Sequence, residues 1–327
     1  MQGLLDGIKR NAFVVVGRAG MDFFPDPPGT RTEDGERFTA ALGGSAANIA
    51  AGICKFGGTA DLVTCVSDDS IGRFCLNQLD HYGVGRGYVR SVGGEARNSL
   101  AVYESRVEDH QTVIYRNGAA DFEMSLQDVE KVEYSRFGAL ITAGTVFAAE
   151  PSRTAAFRAI ELARAAGLPV IFDVDYRPYS WPSAEVAADV LSRAGALSDM
   201  IVGNDEEFGF MAGGIDKGLA KARDLAASTA QLVIFKMGEK GAVTLYRGNE
   251  IPTGIYPVTA LKPTGAGDSF MAGLLSGLAA DLTLREAVLR GSACASIVVA
   301  RPGCAPAMPG PDALTEFLAE HPGPTTP

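Results

Sequence analysis

The sequence predicts a doubly wound α/β fold, built on a mostly parallel sheet with helices on both faces and carrying a small β-sheet lid. Three features predict it. Short β-rich runs alternate with helical patterns along nearly the whole chain, the runs are largely apolar throughout, and only segments 23–42 and 97–120 interrupt the alternation. Continuous apolar runs are what strands show when helices cover both faces of a parallel sheet.

Phe13–Val16 opens the series of strands, which continues with Asp61–Val66, Ala139–Thr142, Pro169–Asp173, Met200–Val202 and Leu232–Phe235. Apolar residues at helical spacing predict helices over Ala46–Phe56, Ile71–Tyr82, Ser152–Ala166, Ala184–Ala194, Glu206–Met211 and Leu219–Ser228. Three more follow at Asp268–Ala280, Leu284–Ala300 and Pro311–Glu320. Thr283 with Glu286 forms a capping box, and Gly167 supplies a C-terminal stop for the helix before it. Of the interruptions, 23–42 is rich in Pro, Gly and charge, whereas Leu100–Arg106 and Thr112–Arg116 look like half-exposed strands joined by Val107–Gln111. Neither has the apolar mass for a core of its own. Both are therefore read as a lid over the cleft where such folds bind ligands, beyond the carboxyl ends of the strands. The main domain is then 1–22, 43–96 and 121–327, with the lid at 23–42 and 97–120. The proline-rich tail after Pro322 is expected to fray.

With 46% apolar and 21% charged residues, the 327-residue chain has the balance of an ordinary globular protein. Its net charge of −10 argues against nucleic acid as a partner, so an anionic ligand must be held by a local cluster of cations or backbone N–H groups. The five cysteines include no Cys-x-x-Cys pair and none at zinc-ligand spacing from the three histidines, and are read as reduced, mostly core thiols. No run approaches the roughly 18 apolar residues that span a bilayer, and the N-terminus has no leader pattern. A cytoplasmic location without a membrane partner is the expectation.

Gly265-Ala266-Gly267-Asp268 stands directly before a helical series of Phe270, Met271, Leu274, Leu275 and Leu278. Glycines let a ligand approach the backbone, and the first turn of a helix offers unpaired N–H donors with partial positive charge, which together make a cradle for phosphate. A plain strand-to-helix turn, its acid favoured by the helix dipole, explains the same residues. No Walker loop is present, and the third glycine of a nicotinamide fingerprint is missing. Gly43 and Gly44 precede a helix whose first turn carries Asn48, able to donate and to accept; read structurally, Ser45 is an N-cap and Asn48 a solvated residue. Arg18 and Asp22 follow the first strand, where they could take a ligand carboxylate or phosphate and two ligand hydroxyls, or be ordinary loop residues. Arg177, just past another strand, could face phosphate or solvent. Asn204 and Glu207 could hold Mg2+ through water or cap a helix.

In their order along an α/β chain, Gly43-Gly44 with Asn48, Asn204-x-x-Glu207 and Gly265-Ala266-Gly267-Asp268 resemble the ribokinase (PfkB) family of carbohydrate kinases, over about residues 12–310. The resemblance implies a ribokinase-like fold and ATP-dependent phosphoryl transfer to the primary hydroxyl of a sugar or sugar acid. It implies Asp268 as the base, the backbone of Gly265, Ala266 and Gly267 as the anion hole, and Arg177 as a fixed positive charge. Asp22, Gly43, Gly44 and Asn48 would hold the sugar, with Arg18, Arg97 and Arg116 reaching it as well. ATP would lie along Asn204, Lys236, Gly238, Gly241, Thr264, Gly265, Gly267, Ser292 and Ser296, with Mg2+ held through water by Asn204 and Glu207. A homodimer through the lid is a further implication. The stretches GRAGMD, DYRPYSW and FKMGEKGA are most similar to the branch that phosphorylates 5-dehydro-2-deoxygluconate in inositol catabolism. Kinases of 2-keto-3-deoxygluconate, fructose, ribose or a nucleoside, or a non-catalytic sugar or nucleotide binder, are the alternatives. Where the family usually has Asp-Thr before its last motif, this chain has Lys262-Pro263, and Asp175 stands where the family often has Asn. These departures bear on the monovalent-cation site, K+ being among the implied cofactors, and on the placement of the ATP phosphates.

Overall fold

A computed structural model describes residues 3–321 and 323–325. The first half of the chain forms α1 (Leu4–Lys9), β1 (Ala12–Val16), β2 (Gly20–Pro25), β3 (Phe38–Gly43), α2 (Ser45–Lys55), β4 (Thr59–Ser67), α3 (Ser70–His81), β5 (Gly85–Val92), β6 (Leu100–Tyr103), β7 (Thr112–Tyr115), α4 (Leu126–Glu130), β8 (Ala139–Ala143) and α5 (Ser152–Ala165). The second half forms β9 (Val170–Asp173), α6 (Ala184–Ala196), β10 (Met200–Asn204), α7 (Asp205–Ala212), α8 (Gly218–Ser228), β11 (Leu232–Lys236), β12 (Ala242–Tyr246), β13 (Asn249–Thr253), α9 (Ala266–Ala279), α10 (Leu284–Val299) and α11 (Pro311–Glu320).

The main sheet has nine strands in the order β13-β12-β11-β10-β9-β8-β1-β4-β5. From β11 to β5 every pair is parallel, whereas β12 and β13 add an antiparallel edge. Alternation along β1 explains why the strands are apolar on both faces: Val14 and Val16 join one buried cluster, with Phe147 and Phe172, while Phe13 and Val15 join the other, with Ile49 and Leu274. The chain leaves β1 toward β4 and β5 on one side, then returns to lay down β8 through β11 on the other. That reversal opens a crevice at the carboxyl ends of β1 and β8, where open α/β sheets bind ligands.

A second sheet of four strands, β3-β2-β6-β7, joins two antiparallel hairpins through a parallel β2–β6 pair. It begins at Gly20, so Asp22 sits in a strand opposite Ala41 and Ala101. All six expected core strands form, with ends displaced by no more than two residues. The strands β5, β12 and β13 were not foreseen. β5 (GRGYVRSV) is a half-exposed edge strand, and the β12–β13 hairpin turns on Arg247-Gly248, both at positive φ, without the Asn-Gly or Asp-Gly pair that marks such turns. The Thr283–Glu286 capping box forms, and Gly167 takes φ +80° at the end of α5. Of the tail, Pro322, Thr326 and Pro327 lie outside the described residues, while the Thr325 N–H donates to the Ile255 carbonyl at 2.7 Å. Among the described residues no helix is long and apolar enough to cross a membrane.

Candidate active site

Beyond the carboxyl ends of β1, β9, β10 and β11 lies a cleft of about 640 Å³, bounded on its other side by Asp22, Tyr103 and Thr112 of the second sheet. Chain segments that are remote in sequence meet there, most of them delivered by the end of a strand or the start of a helix.

The helix α9 starts at one wall. Gly265 is its N-cap at φ +84°, a conformation that disfavours a side chain, and no side chain caps the helix. The first N–H groups of α9 therefore have no partner within the helix and open on the cleft, since Gly265, Ala266 and Gly267 all line it. Asp268, in the first turn, reaches across to α2: Ser45 Oγ donates to its Oδ1 at 2.9 Å and Asn48 Nδ2 to its Oδ2 at 2.9 Å. Part of its surface faces the cleft, yet protein surrounds it, and desolvation pushes its pKa up to about 6, with Asp175 adding and the Asn48 and Ser45 hydrogen bonds opposing. The N-cap of α2 is Gly44, so Ser45 is helical and its hydroxyl is free for Asp268; Asn48 is buried on that same pair and is not solvated.

Asp22 and Arg18 line the cleft beside α2, both buried. Gly43 lies behind Asp22, where any Cβ would stand 2.0 Å from Asp22 Oδ1, so only glycine lets the carboxylate pack there. Burial pushes the Asp22 pKa up to about 7, against the pull of the Arg18 guanidinium. Arg18 Nη1 donates to Ser99 Oγ at 2.9 Å, but its Nε and Asp22 Oδ1 have no hydrogen-bond partner among the described residues. Orphaned buried polar atoms on a cleft wall are what a polar ligand would satisfy.

The opposite wall is acidic. Asp173 ends β9, Asp175 follows it at φ +35°, and Glu207 lies in the first turn of α7. Arg177 pairs with Asp175 at 2.8 Å and lies 3.9 Å from Glu207 Oε1, and Asp175 holds its guanidinium pKa above the usual value. Burial drives Asp173 well above the usual carboxylate range, with Asp175 and Glu207 adding and Lys236 opposing. Asp173, Asp175, Glu207 and Asp268 thus face only Arg177 and Lys236 as cleft-lining cations on this side. No cluster of three or more His, Cys, Asp or Glu among the described residues is arranged to hold a metal directly.

The capping box foreseen for Asn204 and Glu207 is present: Asn204 Oδ1 accepts from the Glu207 N–H, and Glu207 Oε2 accepts from the Asn204 N–H, both at 2.8 Å. Lys236, Gly238 and Thr264 line the cleft, while Gly241 and Ser292 line an adjoining cavity of about 100 Å³ that shares Lys236 and Gly238 with it. Ser296 lines neither and donates to the Tyr256 carbonyl at 2.7 Å. Neither Arg97 nor Arg116 lines the cleft, although Arg116 is buried near enough to Arg18 for the two charges to act on each other, with its Nε and Nη1 unpartnered among the described residues. The Arg116 guanidinium pairs with Asp121 and lies 4.1 Å from the Phe122 ring centroid, and Arg97 donates to the Gly94 and Ala96 carbonyls. Sequence reasoning missed Ser45 and Asp173 as site residues. Ser45 is one turn before Asn48 on the same helix, a spacing that could have paired them on one carboxylate.

Residues 10–311 match the pfkB family carbohydrate kinase. The chain belongs to this family. It is a carbohydrate kinase, a phosphotransferase acting on a sugar hydroxyl. Among its relatives, 5-dehydro-2-deoxygluconokinase of Photobacterium profundum is 36% identical over 311 residues, 93% of this chain and 94% of that protein. The enzyme of the same name from Geobacillus kaustophilus is 33% identical over 314 residues, 94% of each. A double mutant of fructokinase from Vibrio cholerae O395, solved with fructose, ADP and a potassium ion, is 25% identical with a TM-score of 0.81, covering 94% of this chain and 98% of that one.

Proposed function

We propose that this kinase transfers the γ-phosphoryl group of ATP to the primary hydroxyl of 5-dehydro-2-deoxy-D-gluconate, giving the 6-phosphate, in the cytoplasm. The observation that carries the reading is the Asp268 carboxylate, raised to about 6 and oriented by Ser45 and Asn48 at the uncapped start of α9. A base with its pKa near neutrality, beside unpaired N–H donors, suits proton removal from an alcohol attacking a phosphate.

In the reaction Asp268 takes the hydroxyl proton as the sugar oxygen forms its bond to the γ-phosphorus, while the bond from that phosphorus to the β–γ bridging oxygen breaks and ADP leaves with the electron pair. The backbone N–H groups of Gly265, Ala266 and Gly267 donate to the oxygens of the group in flight. Arg177 supplies fixed positive charge, and Lys236 also lines the cleft, with its Nζ beside Gly267. The acidic wall suits a divalent cation that arrives with the nucleotide: Glu207 keeps Oε1 outside the capping box, and Asn204 and Glu207 would hold Mg2+ through water, where it would neutralise charge on the β and γ oxygens. Asp22, Gly43, Gly44 and Asn48 hold the sugar hydroxyls, and Arg18, buried with an unpartnered Nε, takes the substrate carboxylate. Segments 23–42 and 97–120 act as the lid that excludes water. Exposed Phe38, Val113 and Tyr115 on the second sheet support a homodimer through it.

A coupled assay of ADP release with 5-dehydro-2-deoxygluconate beside 2-keto-3-deoxygluconate, fructose, ribose and a nucleoside tests the reading. The first acid should give the highest kcat/KM. A higher value for any other acceptor reassigns the substrate, and no ADP with any of them favours a non-catalytic binder.

A further inference from the structure

Lys262 is 0% exposed, and no other lysine among the described residues is buried. Its Nζ donates to the Thr264 carbonyl and, at 3.3 Å, to the Val298 carbonyl; both partners are uncharged. Burial lowers its pKa, while Cys304, Asp268 and Asp22 work the other way. A buried ammonium with no paired carboxylate is costly, so its position calls for a reason.

Its surroundings supply one. Val298 is in the last turn of α10, where the helix dipole is negative and its carbonyl accepts a turn bond from the Arg301 N–H at 3.2 Å, and α10 has no basic residue of its own in that turn. The Leu261 and Lys262 N–H groups both donate to the Val299 carbonyl, at 2.7 and 3.1 Å, which pins the segment against the same helix end. Thr264, the other acceptor, immediately precedes Gly265, the N-cap of α9. The ammonium therefore bridges the negative pole of one helix to the turn that opens the positive pole of the next, directly beneath Gly265–Gly267. Two backbone carbonyls converging on a buried positive charge are also what a bare monovalent cation would use.

We propose that Lys262 is a tethered cation that takes the place of a free monovalent ion beneath the phosphate turn, so that turnover of this kinase is independent of K+. The turn is thereby held in place with its N–H groups toward the cleft, and Lys262 is a positioning residue that acts through Thr264 and Gly265. This role rests on the phosphoryl transfer proposed above and removes K+ from the cofactors that the family resemblance implied.

The test compares tetramethylammonium chloride with KCl at equal ionic strength, reading both the thermal unfolding midpoint and ADP release. Wild-type protein should give the same midpoint and the same kcat in the two salts. Lys262→Asp, the residue the family usually carries there, should unfold at lower temperature without K+ and regain its midpoint with it. Its kcat, lower by roughly tenfold or more without K+, should rise in KCl with little change in KM for the sugar. Lys262→Met, which keeps the volume and removes the charge, should lose kcat in both salts. A wild-type kcat or midpoint raised several-fold or by several degrees by K+, or a Lys262→Met variant with full kcat, overturns the assignment. If the wild-type protein releases no ADP with any acceptor, the kinase reading fails, and the salt dependence of the midpoints still decides the role of Lys262.

Discussion

Two helices begin at the cleft with an acid three residues after the N-cap, and the two acids do opposite things. In α7, Glu207 folds back and closes a capping box with Asn204, so two of the helix's free N–H groups are satisfied by its own side chains. In α9, the N-cap is Gly265, which has no side chain to close the turn, and Asp268 reaches away to Ser45 and Asn48 on α2. The same spacing gives a finished helix end in one place and an open anion cradle in the other. What decides between them is the residue at the N-cap and what the neighbouring helix offers the acid.

Removing the Asp268 carboxylate should have the largest effect. Asp268→Asn should lower kcat by roughly 10²–10⁴-fold, as for a positioned base. Wild-type kcat should fall as pH drops through about 6, where the base takes up its proton. Stability should run the other way. The folded pKa lies above the ordinary 3.8, so the folded chain binds the proton more tightly, and stability is lost as pH rises between 3.8 and about 6. Asp268→Asn should therefore be more stable than wild type above that window, by about 1–2 kcal/mol after allowance for the open face of the carboxylate. A variant with near-normal turnover would make Asp268 as structural as Glu207.

Next comes the far end of the substrate. Arg18→Leu should raise KM for the sugar acid roughly 10- to 100-fold and leave a neutral sugar little changed, since only the acid loses a charge-assisted hydrogen bond. Equal effects on both would move Arg18 out of the site. Giving α9 a side chain at its cap should come third. At φ +84°, with the added Cβ 3.0 Å from Cys304 Sγ, Gly265→Ala should cost about 1–2 kcal/mol in chemical denaturation and lower kcat. Opening the closed end should do least to chemistry: Asn204→Ala should cost about 1 kcal/mol of stability as a lost cap, with kcat changed only a few-fold. The KM for MgATP should rise beside it, since Asn204 would help hold Mg2+ through water; a kcat loss as large as that of Asp268→Asn would erase the contrast between the two helix ends.

The fold was legible because parallel strands buried on both faces leave unbroken apolar runs, and β1, β8 through β11 and the helices between them left such runs. The antiparallel edge was not, because β12–β13 turns on Arg-Gly and β13 carries Pro252, both weak strand signals. In the site, the order of Gly43-Gly44, Asn204-x-x-Glu207 and Gly265–Asp268 could be read from the chain, but which of them closes on itself could not. The reach of Ser45 and Asn48 to Asp268 spans more than 200 positions and depends on how α2 packs beside α9. Arg97 and Arg116 show the converse: neither of these basic residues of the expected lid lines the cleft, Arg97 donating to the Gly94 and Ala96 carbonyls and Arg116 pairing with Asp121. Lys262 read as a departure from a pattern, and only its burial against two carbonyls gives that departure a physical content.

The two helix ends are compared most directly by a crystal structure with ADP, the sugar acid and a metal fluoride mimic of the phosphoryl group in transit. The mimic should lie within hydrogen-bond reach, about 3 Å, of the Gly265–Gly267 N–H groups, with the acceptor oxygen against Asp268. A mimic seated at the start of α7, or one separated from Asp268 by packed side chains, would contradict the role of α9.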